Sequence, residues 1–511
     1  MTAGKPIVFV LIWLATLTLF FTFVSNRPTI AQSKRIVVPK IWDAKELSDW
    51  ATPVAGLNAT PNFYKEDEYY SAPVDNFRTY PVYDPDHEPK NYLEWIRKQG
   101  SAPMIEPAKL KTEKDWIEAG RIVFESLDIP ITRSNDPQMF KYLHDREAIK
   151  RDNLDVSKDG IIPIFRYVVD NSGEVKVGLA ECSSCHTRKM ADGTLLRGAQ
   201  GNLNFASEGL ALLVDGFIKD SEKRGISLAQ SEYYAYAVPW IKDDIHQKLK
   251  TMTTDQINEI DGVPMPGIFI RFNGSPYYAT RIPDLIGVKD RIYLDATATH
   301  KNRGPADIAR YAALVATADD GSYGPHKFLT EEQRRLPSRF SDEALFALGM
   351  YVYSLEPPSN PNKFDDLAAR GKQVFEEKNC WVCHSAPLYT NNMLVLADGF
   401  QPPRNDPTTQ DLRVLNISIG VDPNLALKTR KGTGYYRVPS LKGLWYRNLL
   451  EHSGSVASLE DWFDPKRLRD DYVPSGWKGP GVKTRAVKGH EYGLNLSDGD
   501  KKALIAFLKT L

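Results

Sequence analysis

The sequence predicts a mainly α-helical chain of two related modules in tandem, with long loops and an irregular N-terminal arm. Three observations predict it. All four cysteines lie in two copies of one five-residue motif. The flanks of those copies echo each other in the same order. Helical periodicity recurs along the 511 residues, and no apolar–polar alternation is long enough to suggest a large sheet. Hydrophobic residues make up 42% and charged residues 25%, values of an ordinary globular protein. That excludes wholesale disorder and a multi-pass membrane protein. With 65 basic against 65 acidic residues, no surplus exists to neutralise phosphates, so nucleic acid is not an expected partner. Four cysteines are too few for a disulfide scaffold.

Residues 1–31 read as a signal peptide or a membrane anchor. Lys5 precedes an apolar run from Pro6 to Val24, and Ser25-Asn26-Arg27-Pro28 follows. The run is long enough to span a bilayer, and Ala31 is a suitable cleavage site. Both readings export the rest of the chain and confine membrane contact to this segment. Residues 32–110 are rich in proline, tyrosine and acidic side chains and read as the irregular arm. Their tyrosines argue against full disorder. Asp84, Asp86, His87 and Glu88 offer ligands for a cation such as calcium; a solvated loop is the simpler reading.

The modules are assigned to residues 111–339 and 340–511. Gly120-Arg121-Ile122-Val123-Phe124-Glu125 echoes Gly371-Lys372-Gln373-Val374-Phe375-Glu376. Further on, Arg281-Ile282-Pro283-Asp284-Leu285-Ile286-Gly287 echoes Arg437-Val438-Pro439-Ser440-Leu441-Lys442-Gly443, and each segment ends at a further arginine, Arg291 or Arg447. The first module carries extra polar material around 133–170. Ser341 caps a segment with Leu345, Leu348, Val352 and Leu355 on one face, and prolines between Glu356 and Pro361 stop it. Ser497 caps the last helix, which buries Leu504, Phe507, Leu508 and Leu511. Residues 205–223 and 305–317 also read as helical.

The cysteine motifs are Cys182-Ser183-Ser184-Cys185-His186 and Cys380-Trp381-Val382-Cys383-His384. C-x-x-C-H is the attachment signature of c-type haem. Two thiols add to two vinyl groups of one porphyrin, and the adjacent histidine reaches the iron. Two covalently attached haem c groups are therefore expected. A thioredoxin-like pair requires no following histidine. A shared zinc site would make both histidines coincidental, with the pairs 198 residues apart. Haem c is attached outside the cytoplasm, in agreement with the export signal.

The second axial ligand decides between electron carrier and enzyme. After His384 the last methionine is Met393, too close to wrap to the opposite face. The candidates for the second iron are His490, in a glycine-flanked loop, and then His452; Tyr446, Tyr472 and Tyr492 follow. For the first iron His246, Met252 and Met265 are distant options and Met190 is too near. The first iron is expected to be open or weakly ligated, with His300 as a distal acid–base group.

The second half, from Ala369 onward, resembles the bacterial di-haem cytochrome c peroxidase superfamily, which includes the di-haem enzyme that matures methylamine dehydrogenase and the di-haem rubber oxygenases. The carrying residues are Gly371 to Phe375, Cys380 to His384 followed by Ser385-Ala386-Pro387-Leu388-Tyr389-Thr390-Asn391-Asn392, and Val438 to Gly443 leading to His452-Ser453-Gly454-Ser455. The first half, from about residue 110, shares it more weakly. The resemblance implies two cytochrome c-like haem domains, one haem reactive and the other relaying electrons. Analogy with the rubber oxygenases puts the reactive haem in the N-terminal half. The chain departs from the peroxidases in having no methionine for the C-terminal haem, and its Gly489-His490-Glu491-Tyr492-Gly493 segment is closer to the rubber-oxygenase branch. The implied protein is a periplasmic oxidoreductase that takes peroxide or dioxygen and exchanges electrons with a small redox protein, with Trp381 or Trp240 as a bridge or as porphyrin packing. The alternatives are a non-enzymatic di-haem electron-transfer protein and a haem-bearing sensor or structural subunit.

Overall fold

A computed structural model describes residues 36–128, 130–261, 265–270, 274–317, 322–334, 336–403 and 410–511. The apolar run Pro6–Val24 and the site after Ala31 lie outside them. Among the described residues no helix is long and apolar enough to cross a membrane.

Two crossed helix pairs underlie the repeat. The helix Glu113–Ser126 starts at a capping box, in which Thr112 Oγ1 accepts from the Asp115 amide and Asp115 accepts from the Thr112 amide. Its apolar face buries Trp116, Ala119, Val123 and Phe124 and packs on the helix Asp342–Ser354, capped by Ser341. In the second half Asp366–Glu377 packs on Asp498–Lys509, capped by Ser497. Glycine is required at both crossings. A Cβ added at Gly120 would lie 1.9 Å from the Ala347 carbonyl oxygen; at Gly371 it would lie 1.9 Å from that of Ala503. The partner helices echo each other too: Ala347-Leu348, Tyr351-Val352 and Leu355 correspond to Ala503-Leu504, Phe507-Leu508 and Leu511. The helix Asp342–Ser354 follows the boundary expected at residue 340, yet its partner is the helix of the first half. The proline stretch 356–361 comes after it and before Asp365, which caps the next helix.

The chain is partly helical with several small sheets, a coarser outcome than the mainly α expectation. The sheet missed in the sequence has Ile161–Val169 at its centre, antiparallel to Arg78–Tyr83 and to Val175–Leu179. Tyr167 pairs with Tyr80 on one side and Val177 on the other. Both faces of the central strand are covered, so its residues are almost continuously buried and no period-two alternation appears. A second small sheet orders Tyr435–Arg437, Leu394–Leu396 and Val414–Ser418.

The arm is more ordered than expected. It contributes the strand Arg78–Tyr83 and the short helices Ala44–Trp50, Glu66–Ser71 and Tyr92–Arg97. Trp42 and Trp50, both 0% exposed, join the same core as the helix Glu113–Ser126. These anchors are too irregularly spaced to give a period. The acidic side chains of the arm already have partners. Asp84 meets His87 Nδ1 at 2.9 Å, Glu88 meets His144 Nε2 and the Tyr167 hydroxyl at 3.2 Å each, and Asp86 pairs with Arg146. Among the described residues no group of three or more His, Cys, Asp or Glu is placed to hold a metal ion, so calcium finds no support there.

Candidate haem sites

The short helix Glu181–Cys185 presents Cys182 and Cys185 and ends at His186. In the second half a single 3-10 turn, Cys380–Val382, does the same work ahead of Cys383 and His384. One helical turn sets the spacing of each thiol pair, and none of the four cysteines is paired in a disulfide. Burial pushes the Cys182 thiol up to about 12 and raises those of Cys380 and Cys383.

The repeat Arg-x-Pro-x-Leu-x-Gly now has a physical reason. His186 Nδ1 donates to the carbonyl oxygen of Pro283 at 3.0 Å, and His384 Nδ1 donates to that of Pro439 at 3.1 Å. Proline carbonyls at the same repeat position therefore fix both imidazoles in the tautomer that leaves Nε2 for a metal. Burial lowers the His384 pKa, which favours the neutral, ligating form. The donor set thus fits haem c twice: two thiols and one oriented imidazole in each half.

The two histidine candidates for the second iron differ in their surroundings. His490 is half-buried and within electrostatic reach of His384: desolvation first, then the charge of His384 and that of Arg467, push it down to about 3. Its ring stands edge-on to Trp462 with centroids 5.3 Å apart. Arg467, 0% exposed, holds the loop by donating to three backbone carbonyls: Trp462 from Nε, Val487 from one Nη and His490 from the other, at 2.7–2.8 Å. Its guanidinium also lies over the Trp462 ring. His452 instead has both nitrogens engaged, Nδ1 by Glu451 and Nε2 by the Tyr436 hydroxyl at 3.4 Å, and its ring stacks on Tyr436. Tyr446 donates its hydroxyl to Asp284 at 2.7 Å, and Tyr492 is exposed.

In the first half His246 is committed elsewhere. It is 0% exposed, with Nδ1 2.6 Å from Asp244 and Nε2 2.7 Å from Ser275 Oγ. Met252 packs near Tyr236 and Leu249, and Met265 near Leu449 and Trp477. His300 sits beneath the arm, 4% exposed, with its ring 4.0 Å from that of Trp50. Its Nδ1 lies 2.8 Å from Thr299 Oγ1, and that hydroxyl donates to Asp295. Trp381 is 51% exposed, and Trp240 packs on Tyr323 and His326.

Three residues for which the sequence suggested no role at the site act here. Arg467 holds the His490 loop. Asp284 and Arg447 link the halves, with Asp284 Oδ2 3.1 Å from Arg447 Nε, while Arg447 Nη1 donates to the Ser440 carbonyl at 3.3 Å. Asp284 follows Pro283 and Ser440 follows Pro439, so a chain of bonds and polar contacts runs from His186 to His384. The arginine ending the second repeat segment was the available signal.

No family model matches the chain, and no curated protein matches it. Solved structures similar to it include the hydrazine synthase of Kuenenia stuttgartiensis pressurised with 20 bar xenon, at 14% identity over 55% of this chain and 86% of that one. They also include a MauG-like protein associated with microbial copper homeostasis, at 16% identity over 57% of this chain and 88% of that one. The TM-score is 0.29 in each case, so the functional reading rests on the chain's own residues.

Proposed function

We propose that the chain is an exported di-haem c-type cytochrome oxidoreductase. Cys182, Cys185 and His186 would hold one haem; Cys380, Cys383 and His384 would hold the other, with His490 available as a further ligand. Haem c supplies one-electron chemistry and, where an axial position stays open, a place for peroxide or dioxygen to react. The observation that carries this reading is the duplicated contact of His186 with Pro283 and of His384 with Pro439. Orienting an imidazole through Nδ1 is what a metal ligand needs, and it recurs beside each thiol pair.

The halves then divide the work. His490, within electrostatic reach of His384, would be a second ligand there, which supports an electron-relaying role for the second half. The engagement of both His246 nitrogens supports an open position opposite His186. The Asp284–Arg447 link supports exchange of electrons between the halves. Thr299 donates to Asp295 and so accepts from His300 Nδ1, a hydrogen-bonded setting that supports a distal acid–base role for His300. Peroxide or dioxygen is the small substrate, a small redox protein is the electron partner, and the periplasm is the location.

The test is spectroscopy of the purified protein in its ferric and ferrous forms. One high-spin and one low-spin haem, with carbon monoxide binding to one, is the expected result. Two low-spin haems inert to hydrogen peroxide in every redox state would make the chain an electron carrier instead. Ligand binding without turnover would make it a sensor. Replacing His300 with Ala should slow the reaction with peroxide and leave both ferric spectra unchanged.

A further inference from the structure

Four arginines converge between the halves: Arg281 and Arg291 from the first repeat segment, Arg437 and Arg447 from the second. Their contacts are exchanged. The Arg281 amide donates to the His452 carbonyl at 3.0 Å, and its Nε donates to the Glu451 carbonyl at 2.8 Å. The Arg437 amide donates to the Ala296 carbonyl at 2.8 Å, and its Nε donates to the Asp295 carbonyl at 3.5 Å. Each arginine thus spends its amide and its Nε on the backbone of the opposite half. The terminal nitrogens of both side chains have no protein partner among the described residues. Nor are they among the sealed polar atoms that lack a hydrogen bond, so they retain some exposure.

Carboxylates do not balance this cluster. Arg447 alone contacts one, Asp284. Arg291 is spent on the backbone carbonyls of Asp284 and Ile286. Glu451 is taken by His452 and Ser453, and Asp295 by Thr299. Desolvation and mutual repulsion push Arg281 down to about 10 and Arg437 down to about 9. Like charges taken partly out of water are costly unless an anion joins them. Two terminal N–H groups on a planar guanidinium match the two oxygens of a carboxylate.

The placement identifies the anion. Arg281 lies two residues before Pro283, whose carbonyl holds His186, and Arg437 lies two residues before Pro439, whose carbonyl holds His384. Both free guanidinium ends are therefore built on the segments that line the haem sites. We propose that Arg281 and Arg437 bind carboxylates at the interface of the halves, and that these are the propionates of the two covalent haems. This rests on the two-haem reading above. The arrangement couples the halves, since each propionate-binding arginine is anchored on the other half.

The experiment compares the haem-loaded chain with R281M, R437M and the charge-keeping R281K and R437K. Haem content is measured first, by mass and by pyridine haemochrome. Fewer than two haems in the unaltered chain sinks the two-haem reading itself. With two haems present, the reduction potential of each is titrated between roughly pH 5 and 8, at low and high phosphate. Asp284, Asp295, Glu451 and His452 face the cluster and are the same in all variants, so the difference from the unaltered chain is what counts. The expected result is potentials indifferent to phosphate throughout. Each Met variant should add a pH dependence to one haem as its freed propionate titrates, and the matching Lys variant should largely remove it. Potentials that depend on phosphate in the unaltered chain and lose that dependence in the variants would assign the site to a free anion. Met variants with the pH dependence of the unaltered chain would overturn the proposal.

Discussion

Arg467 donates from one guanidinium nitrogen to the backbone carbonyl of His490 at 2.7 Å, and so fixes the loop that carries His490. The other two donors tie Trp462 and Val487 into the same knot. Lysine keeps the charge but cannot reach three carbonyls at once. R467K should cost about 2–4 kcal/mol of stability and raise the high-spin fraction of the ferric spectrum. Added imidazole should restore the low-spin signal. A low-spin spectrum identical to that of the unaltered chain would show that the clamp does not position the ligand.

His490 and His452 make opposite predictions. Replacing His490 with Ala should turn one haem high-spin. Replacing His452 with Ala should leave both spectra unchanged, because its nitrogens are used by Glu451 and Tyr436. Electron paramagnetic resonance of the ferric variants separates the cases. The reverse pattern would move the ligand to His452.

The two helix crossings should not tolerate a methyl group. Gly120→Ala and Gly371→Ala each drive a Cβ against a backbone carbonyl, which cannot rotate away as a side chain can. The expected loss is about 1–3 kcal/mol for each, read as a lower denaturant midpoint. A midpoint unchanged in both variants would contradict the packing described.

Glu181, next to Cys182, gives a pH dependence. Burial first, then the neighbouring Asp128, raises its pKa to about 8. The folded chain therefore keeps a proton that the unfolded chain releases above its ordinary value of 4.5. Stability from this group is full below that value and is lost as pH rises toward 8, with a slope of up to about 1.4 kcal/mol per pH unit. E181Q should flatten that slope, measured as denaturant midpoints from acidic to mildly alkaline pH. An equal slope in the variant would exclude Glu181 as its source.

Much of the candidate site was legible in the chain because covalent chemistry dictates it. Cys182, Cys185 and His186 must be close in sequence to meet one porphyrin, and so must Cys380, Cys383 and His384. The helices at Ser341 and Ser497 were legible because capping and periodicity are local. The strand Ile161–Val169 was not, since burial on both faces erases alternation. The order in the arm was not, since Trp42 and Trp50 gain their meaning only against a distant core.

By itself, the sequence determined the thiol pairs, their histidines and the order of the duplicated segments, because each depends on neighbours within a few residues. Tertiary structure decided the rest. It tied His186 to Pro283 across 97 residues and His384 to Pro439 across 55. It brought His490 within electrostatic reach of His384, engaged both nitrogens of His452 with Glu451 and Tyr436, and anchored Arg281 and Arg437 each on the opposite half. Such contacts join residues that the chain keeps far apart, and only packing brings their hydrogen-bonding groups within reach.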